Sequence, residues 1–343
     1  MPIDRRSALL GTAALALPLA APSVLRAQSL RPRTALPATI DSVTERAREL
    51  EQLHALLVLQ DGEPIIEEAF RGPGLDRTAN VKSVSKTLLA LITGIAIERG
   101  HIEGPDAPVL PLLGREPTGD ARDELTIGHL LSMQTGLRST SGPRYGAWVS
   151  SNDWIDYVLE SELVSEPGGR YIYSTGGWHV LGAVLSRATG RGLHSLASEW
   201  LSEPLDIRIP PWERDPQGLF LGGNQMGLTP RHLARVGEMV RQGGAWNGEQ
   251  VVPENWIEES WTPRARSRWT GDGYGYGWFL TRIDGARAAY GRGYGGQVLA
   301  VIPERSMTIV MTSDPNLPAR TAGHFGNLIR LMRQIATLER SDA

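Results

Sequence analysis

From Ser85 to Glu98 the chain reads SKTLLALITGIAIE, and Leu88, Leu89, Leu91, Ile92, Ile95 and Ile97 leave no polar face at the helical period. Gly100 stands where such a helix would end. A helix that is apolar all round has to be covered all round, so it belongs at the centre of a layered fold. The same stretch holds an unusual charge. Of the 35 Lys and Arg residues, all except Lys82 and Lys86 are arginine. Arginine does not release its proton in a protein, whereas an ammonium moved into a dry pocket can. Lys86 follows Ser83 by three residues, a spacing that puts both on one helical face. Ser83 would then stand at the helix start, where free N–H groups favour a developing oxyanion. Burial would lower the lysine pKa and let the amine take the serine proton. Nothing in the position of Lys82 asks for chemistry.

Around this helix the chain is ordinary in bulk. It has 343 residues, 41% of them hydrophobic and 21% charged, with a formal net charge of −3. That length gives an ample core, and the balance argues against a nucleic-acid partner or an acidic disordered tail. Cysteine is absent, which excludes disulfides, thiolate catalysis and cysteine-ligated metals. Arg5-Arg6 precede the apolar stretch Ala8–Ala21, and small residues end at Ala27. This pattern describes a twin-arginine export signal over residues 1–27, directing a periplasmic or secreted protein. Pro18 and Pro22 argue against a retained membrane span. Residues 28–39 then form a linker.

Ile40–Leu53 has the spacing of a helix, and Ala55–Gln60 and Ile65–Phe70 flank Asp61-Gly62 as a hairpin. From residue 104 to 269 the texture is mostly helical, with helices expected over Leu125–Met133, Asp153–Leu163, Trp178–Ala188, Leu193–Leu201, Thr229–Arg241 and Pro253–Trp261. Trp178, Trp200 and Trp256 fall within these helices as core residues. Strands are expected at Tyr276–Ile283, Gln297–Ile302 and Met307–Thr312, and an amphipathic helix at Ala322–Leu338. The two ends, 40–103 and 270–343, would build one sheet domain, with 104–269 as a helical insertion.

Two further pieces bear on chemistry. Tyr171-Ile172-Tyr173-Ser174-Thr175-Gly176-Gly177 sits at a loop-to-helix junction, and a tyrosine beside an ammonium would ionise more readily and carry a proton to a leaving group. Tyr290-Gly291-Arg292-Gly293-Tyr294-Gly295-Gly296 precedes a strand, and its glycines let backbone approach a ligand. That edge could supply an oxyanion N–H, with Arg292, Gly293 and Gly295 beside the substrate. Tyr145 and Trp148, after Gly142-Pro143, are candidates to line a pocket. The seven histidines show no metal-ligand spacing, and no G-x-S-x-G elbow occurs, so no metal and no cofactor are expected.

Ser83-x-x-Lys86, a tyrosine motif about 90 residues on and a glycine-rich motif before a strand come in the order of the serine β-lactamase and penicillin-binding protein superfamily. The blocks SVSKTLLALITGIAIERG, LTIGHLLSMQTGL, EPGGRYIYSTGGWHVLGAVL and YGRGYGGQVLAVIPE are similar to its class C β-lactamase-like branch. That branch also holds esterases, D-amino-acid peptidases and 6-aminohexanoate-dimer hydrolases, and the likeness runs from about Leu53 to Thr312. The resemblance implies an α/β (α+β) fold of β-lactamase/transpeptidase type, an antiparallel sheet flanked by helices with a helical insertion and the site in the cleft between. It implies Ser83 as acylated nucleophile, Lys86 as base, Tyr173 as proton carrier, and an oxyanion hole from the N–H groups of Ser83 and Tyr294. The chain departs from class C enzymes twice. Thr175 replaces the asparagine of Tyr-x-Asn, and Gly291-Arg292-Gly293 stands where Lys-Thr-Gly would be. Both changes fall in substrate recognition, so the expected substrate is a small ester or amide. D,D-carboxypeptidase or weak β-lactamase activity is the alternative. A non-catalytic receptor for cell-wall peptides or β-lactams is the alternative of another class.

Overall fold

The computed structural model describes residues 38–319 and 323–338, so the expected export signal and most of the linker lie outside the described residues. Helix α1 (Ile40–Arg48) opens with a Thr39 capping box and leads to strand β1 (Leu53–Gln60). The helix ends earlier than its sequence spacing predicts, because Leu53 already belongs to the sheet. Strand β2 (Glu63–Ala69) follows across Asp61 and Gly62, whose φ angles of 52° and 88° make the tight hairpin turn that matches strand twist. A short β3 (Ala79–Lys82) leads into α2 (Ser85–Glu98).

After α2 come short helices and then α3 (Thr175–Thr189), closed by Gly190 in the left-handed conformation. Strand β4 (Met226–Leu228) arises within the stretch read as helical and pairs antiparallel with β3. Helix α4 (Pro230–Arg241) is capped by Thr229. The chain then returns to the sheet with β5 (Ala265–Arg266), β6 (Gly273–Tyr274), β7 (Phe279–Ile283), β8 (Ala286–Gly293), β9 (Gln297–Ile302) and β10 (Met307–Ser313), and ends in α5 (His324–Ile335).

The main sheet has the order β2-β1-β10-β9-β8-β7-β6-β5. Its neighbouring strands pair antiparallel where their register is resolved, with Tyr290 opposite Ala300 and Gly291 opposite Leu299. Side chains alternate between faces along a strand, so these two pairs mark opposite faces. Leu299 and Thr308 face α4 at Gly237, and Gly291 lies against Thr87 and Val84 of α2. Tyr290 faces the other way, with its ring 6.5 Å from that of Phe325 on α5. Helix α2 is therefore pressed between the sheet and α3. Leu88, Leu89, Leu91 and Ile92 are fully buried there, each stabilising the fold by about 1.5–3 kcal/mol. Trp178, Trp200 and Trp256 are buried in the same continuous core, as their helical positions predict.

Candidate active site

Ser83 stands in the turn between β3 and α2. Lys82 before it is forced to a left-handed φ of 49°, which turns the chain sharply from the strand. Its ammonium donates to Gln225 Oε1 at 3.0 Å, and the Asn80 amide donates to the same oxygen at 2.9 Å. Lys82 thus lines the cleft beside Ser83, a place its sequence context does not reveal. The neighbouring serine is used otherwise. Ser85 Oγ donates to Lys82 O at 2.6 Å and accepts from Met226 N–H at 3.1 Å, which locks the turn to β4. Of the two serines, Ser83 is the one facing the cleft.

Lys86 is the second residue of α2 and is 2% exposed. Its Nζ is 3.1 Å from Ser83 Oγ, 3.3 Å from Thr175 Oγ1 and 2.7 Å from Gly223 O. No carboxylate pairs with it among the described residues, and burial holds its amine well below the usual lysine pKa. A neutral amine has two N–H bonds and one lone pair. Gly223 O and Thr175 Oγ1 can take the two hydrogens, which leaves the lone pair for the Ser83 hydroxyl. Thr175 is itself held by Ser141, whose Oγ lies 3.0 Å from Thr175 Oγ1 and accepts from Thr175 N–H at 2.8 Å.

Tyr173 precedes the Ser174 N-cap of α3, and its ring lies 5.2 Å from Lys86 Nζ. Its ring and Ser83 line the same cleft. Burial pushes the phenol above its usual pKa, and the Ser83 contact and Arg292 pull it only part of the way back. That reverses the sequence expectation of a readily ionised tyrosine. The expectation assumed a charged lysine beside it, and desolvation disfavours that charge.

The cleft encloses about 660 Å³ and is walled by Tyr145, Tyr173, Trp269, Phe279 and Tyr294, with no Asp or Glu among its described lining residues. Tyr145 is there as expected, accepting a hydrogen bond from the Asn224 amide at 3.2 Å. Trp148 is not. The loop that was to carry it folds into a short helix, Tyr145–Val149, which turns the indole into the core, where Nε1 donates to Trp154 O at 2.9 Å. Gly293 lines the cleft, and a Cβ there would stand 2.4 Å from Val81 O, so only glycine lets β8 lie this close to the Ser83 turn. Gly295 is a turn residue packed on Asp314, outside the lining, with its carbonyl accepting from Gln52 Nε2 at 2.9 Å. Arg292 borders the cleft, but it leaves β8 on the Tyr290 face and stacks its guanidinium 3.6 Å from the Phe325 ring centre. Sequence reasoning missed Ser141, Gly223, Gln225 and Trp269. Their one signal was the glycine pair Gly222-Gly223 before Asn224-Gln225, a run that permits close backbone approach.

The family model described as Beta-lactamase matches residues 48–327. The chain belongs to the beta-lactamase family. A 6-aminohexanoate-dimer hydrolase from Paenarthrobacter ureafaciens is 27% identical over 305 residues, covering 80% of this chain and 77% of that protein. Among solved structures, the octameric penicillin-binding protein homologue from Pyrococcus abyssi superposes with a TM-score of 0.68 at 18% identity, over 85% of this chain and 76% of that one. EstCE1, a hydrolase with promiscuous acyltransferase activity, gives 0.69 at 17% identity, over 87% and 98%. The fold is accordingly β-lactamase/transpeptidase-like, and the chain is a beta-lactamase-related hydrolase. Among the described residues there is no group of side chains suited to hold a metal ion, and no helix long and apolar enough to cross a membrane.

Proposed function

We propose that this beta-lactamase family member hydrolyses an ester or amide through an acyl-enzyme on Ser83. The observation that carries the proposal is the Lys86 amine, buried with no carboxylate partner among the described residues and 3.1 Å from Ser83 Oγ. As Ser83 Oγ bonds to the substrate carbonyl carbon, its proton passes to the Lys86 lone pair. The oxyanion is held by the backbone N–H groups of Ser83 and Tyr294, neither of which has an acceptor among the described residues. Tyr173, whose phenol burial keeps protonated beside Ser83, relays a proton to the leaving alcohol or amine as the carbonyl–heteroatom bond breaks. Water then attacks the ester of Ser83 and releases the acid.

The aromatic walls and the lack of a lining carboxylate favour a substrate with an apolar, uncharged or anionic group over one presenting a free amine. A panel of short-chain p-nitrophenyl esters, small amides, D-Ala-D-Ala peptides and nitrocefin tests this, and esters and amides should be turned over ahead of nitrocefin. A fluorophosphonate probe should label the chain once, on Ser83. Label on Ser85 or Ser174 would overturn the assignment. Stoichiometric acylation without turnover of any substrate would make the protein a receptor.

A further inference from the structure

We infer that His179 and Asp215 form a buried positioning pair that aims the Gly223 carbonyl at Lys86, an inference that rests on Lys86 being the base. Both side chains are fully buried, and His179 Nε2 lies 3.0 Å from Asp215 Oδ2. Asp215 Oδ1 accepts from Leu219 N–H at 2.8 Å, so the carboxylate folds the loop that follows it. The other imidazole nitrogen, Nδ1, faces the Gly222 N–H at 3.2 Å. A backbone N–H can only donate. Nδ1 therefore carries the lone pair, and Nε2 carries the proton given to Asp215.

The next residue is the one that meets the lysine. Gly223 has a φ of 72°, and its carbonyl accepts from Lys86 Nζ at 2.7 Å. The backbone here is pressed between α3 and the lysine stem. A Cβ on Gly222 would lie 2.3 Å from Trp178 O, and one on Gly223 would lie 2.9 Å from Lys86 Cγ. Space fixes where the loop runs, and the Gly222 N–H anchor fixes how its peptide planes turn. Helix α3 thus supplies both acceptors of the amine, Thr175 directly and Gly223 through His179. A buried carboxylate with two donors is a poor way to stabilise a core, which fits a pair retained for orientation.

The test compares variants of the full chain that keep one half of the relay. In His179→Asn the amide oxygen sits near the place of Nδ1 and can still accept from Gly222, although Asp215 loses its partner. In His179→Gln the amide N–H sits near the place of Nε2 and serves Asp215, but the Gly222 acceptor is gone. Asp215→Asn changes almost no volume. Its oxygen stays with the Leu219 N–H, its nitrogen faces Nε2, and the imidazole proton is driven to Nδ1 against Gly222, an inverted tautomer of the kind that disables a triad histidine. On the best ester of the panel, His179→Asn should keep kcat within about threefold, despite a lower Tm. His179→Gln and Asp215→Asn should lose about 10- to 100-fold in kcat with KM nearly unchanged, since misplacement of a reacting group by about 1 Å costs that order. Losses that follow Tm alone across the three variants, or a His179→Gln as active as His179→Asn, would overturn the proposal. So would a ¹⁵N spectrum of the wild-type protein that puts the His179 proton on Nδ1, a readout that needs no variant to fold. Lys86→Arg in the wild-type background tests the base by itself. An active Lys86→Arg enzyme removes the reading beneath this one, and the tautomer and variant data then stand as structural findings about the loop.

Discussion

Among the described residues the Lys86 amine has no carboxylate to share its charge, so protonation at that site is expensive and both activity and stability must carry its sign. Only the neutral amine can act as base, and burial lowers its pKa. The kcat/KM for an ester should therefore rise with pH through that depressed value and level off above it, at a pH well below the usual lysine range. The opposite limb belongs to Tyr173, whose phenol burial pushes up. No fall in rate is expected below about pH 10, the ordinary tyrosine value. A rate that declines between pH 7 and 9 would contradict a protonated Tyr173 as relay. For stability, the unfolded lysine binds its proton up to about pH 10.4, whereas the folded one has already lost it or holds it at a cost. Folding is thus penalised below that pH, and the penalty grows as pH falls towards the folded value. Lys86→Met removes this penalty along with the hydrogen bonds. Its Tm relative to wild type should become more favourable on going from pH 10 to pH 7, and a difference independent of pH would refute the desolvation argument. Lys86→Arg places a permanent positive charge at this site and cannot act as base. It should lose about 10²–10⁴ in kcat/KM, approaching Ser83→Ala because the residues act as a unit. Tyr173→Phe should fall by a similar order. Ser83, Lys86 and Tyr173 were legible because their spacing follows from helix geometry and one motif order. Gly223 and Gln225 were not, since a backbone carbonyl and a distant amide leave no local pattern.

Helix α2 was legible for the opposite reason: a run with no polar face admits only one environment. Its packing is tight enough to test. A Cβ on Gly94 would lie 2.1 Å from Cδ1 of Trp256, whose indole N–H donates to Ala90 O at 2.9 Å. Helix propensity alone predicts that Gly94→Ala gains up to about 1 kcal/mol. Overpacking against a buried indole costs about 1–3 kcal/mol, so the net change should be destabilising. Urea unfolding measures it, and a stabilised Gly94→Ala would mean that the ring can give way. The same closeness hid strand β8. Ala288, Ala289 and Gly291 carry little strand signal of their own, because small residues have low strand preference. Ala289 and Gly291 are small on the face where α2 and the sheet meet, with Thr87 Oγ1 only 2.5 Å from where a Gly291 Cβ would be. Tertiary packing, which no local window contains, made that segment a strand. Trp148 misled in the converse way, as a loop position that a short helix turned inward.

The first strand of the sheet lies beside the last: β1 pairs with β10 from Leu53 opposite Ser313 to Gln60 opposite Met307. About 250 residues separate these partners, and long-range pairing of this kind slows folding because chain entropy is lost before contacts form. We propose that export, if it is directed by Arg5-Arg6, carries the folded chain. The absence of cysteine fits this, since no disulfide has to form after translocation. Replacing both arginines by lysine keeps the charge and the apolar stretch while removing the paired guanidinium groups. The expected result is a cytoplasmic protein of full length that is folded and labelled by fluorophosphonate. The unaltered protein should be found outside the cytoplasm with its N-terminus at Gln28. Export of the double-lysine variant at the normal level, or a mature N-terminus far from Gln28, would show that the arginine pair does not direct this chain.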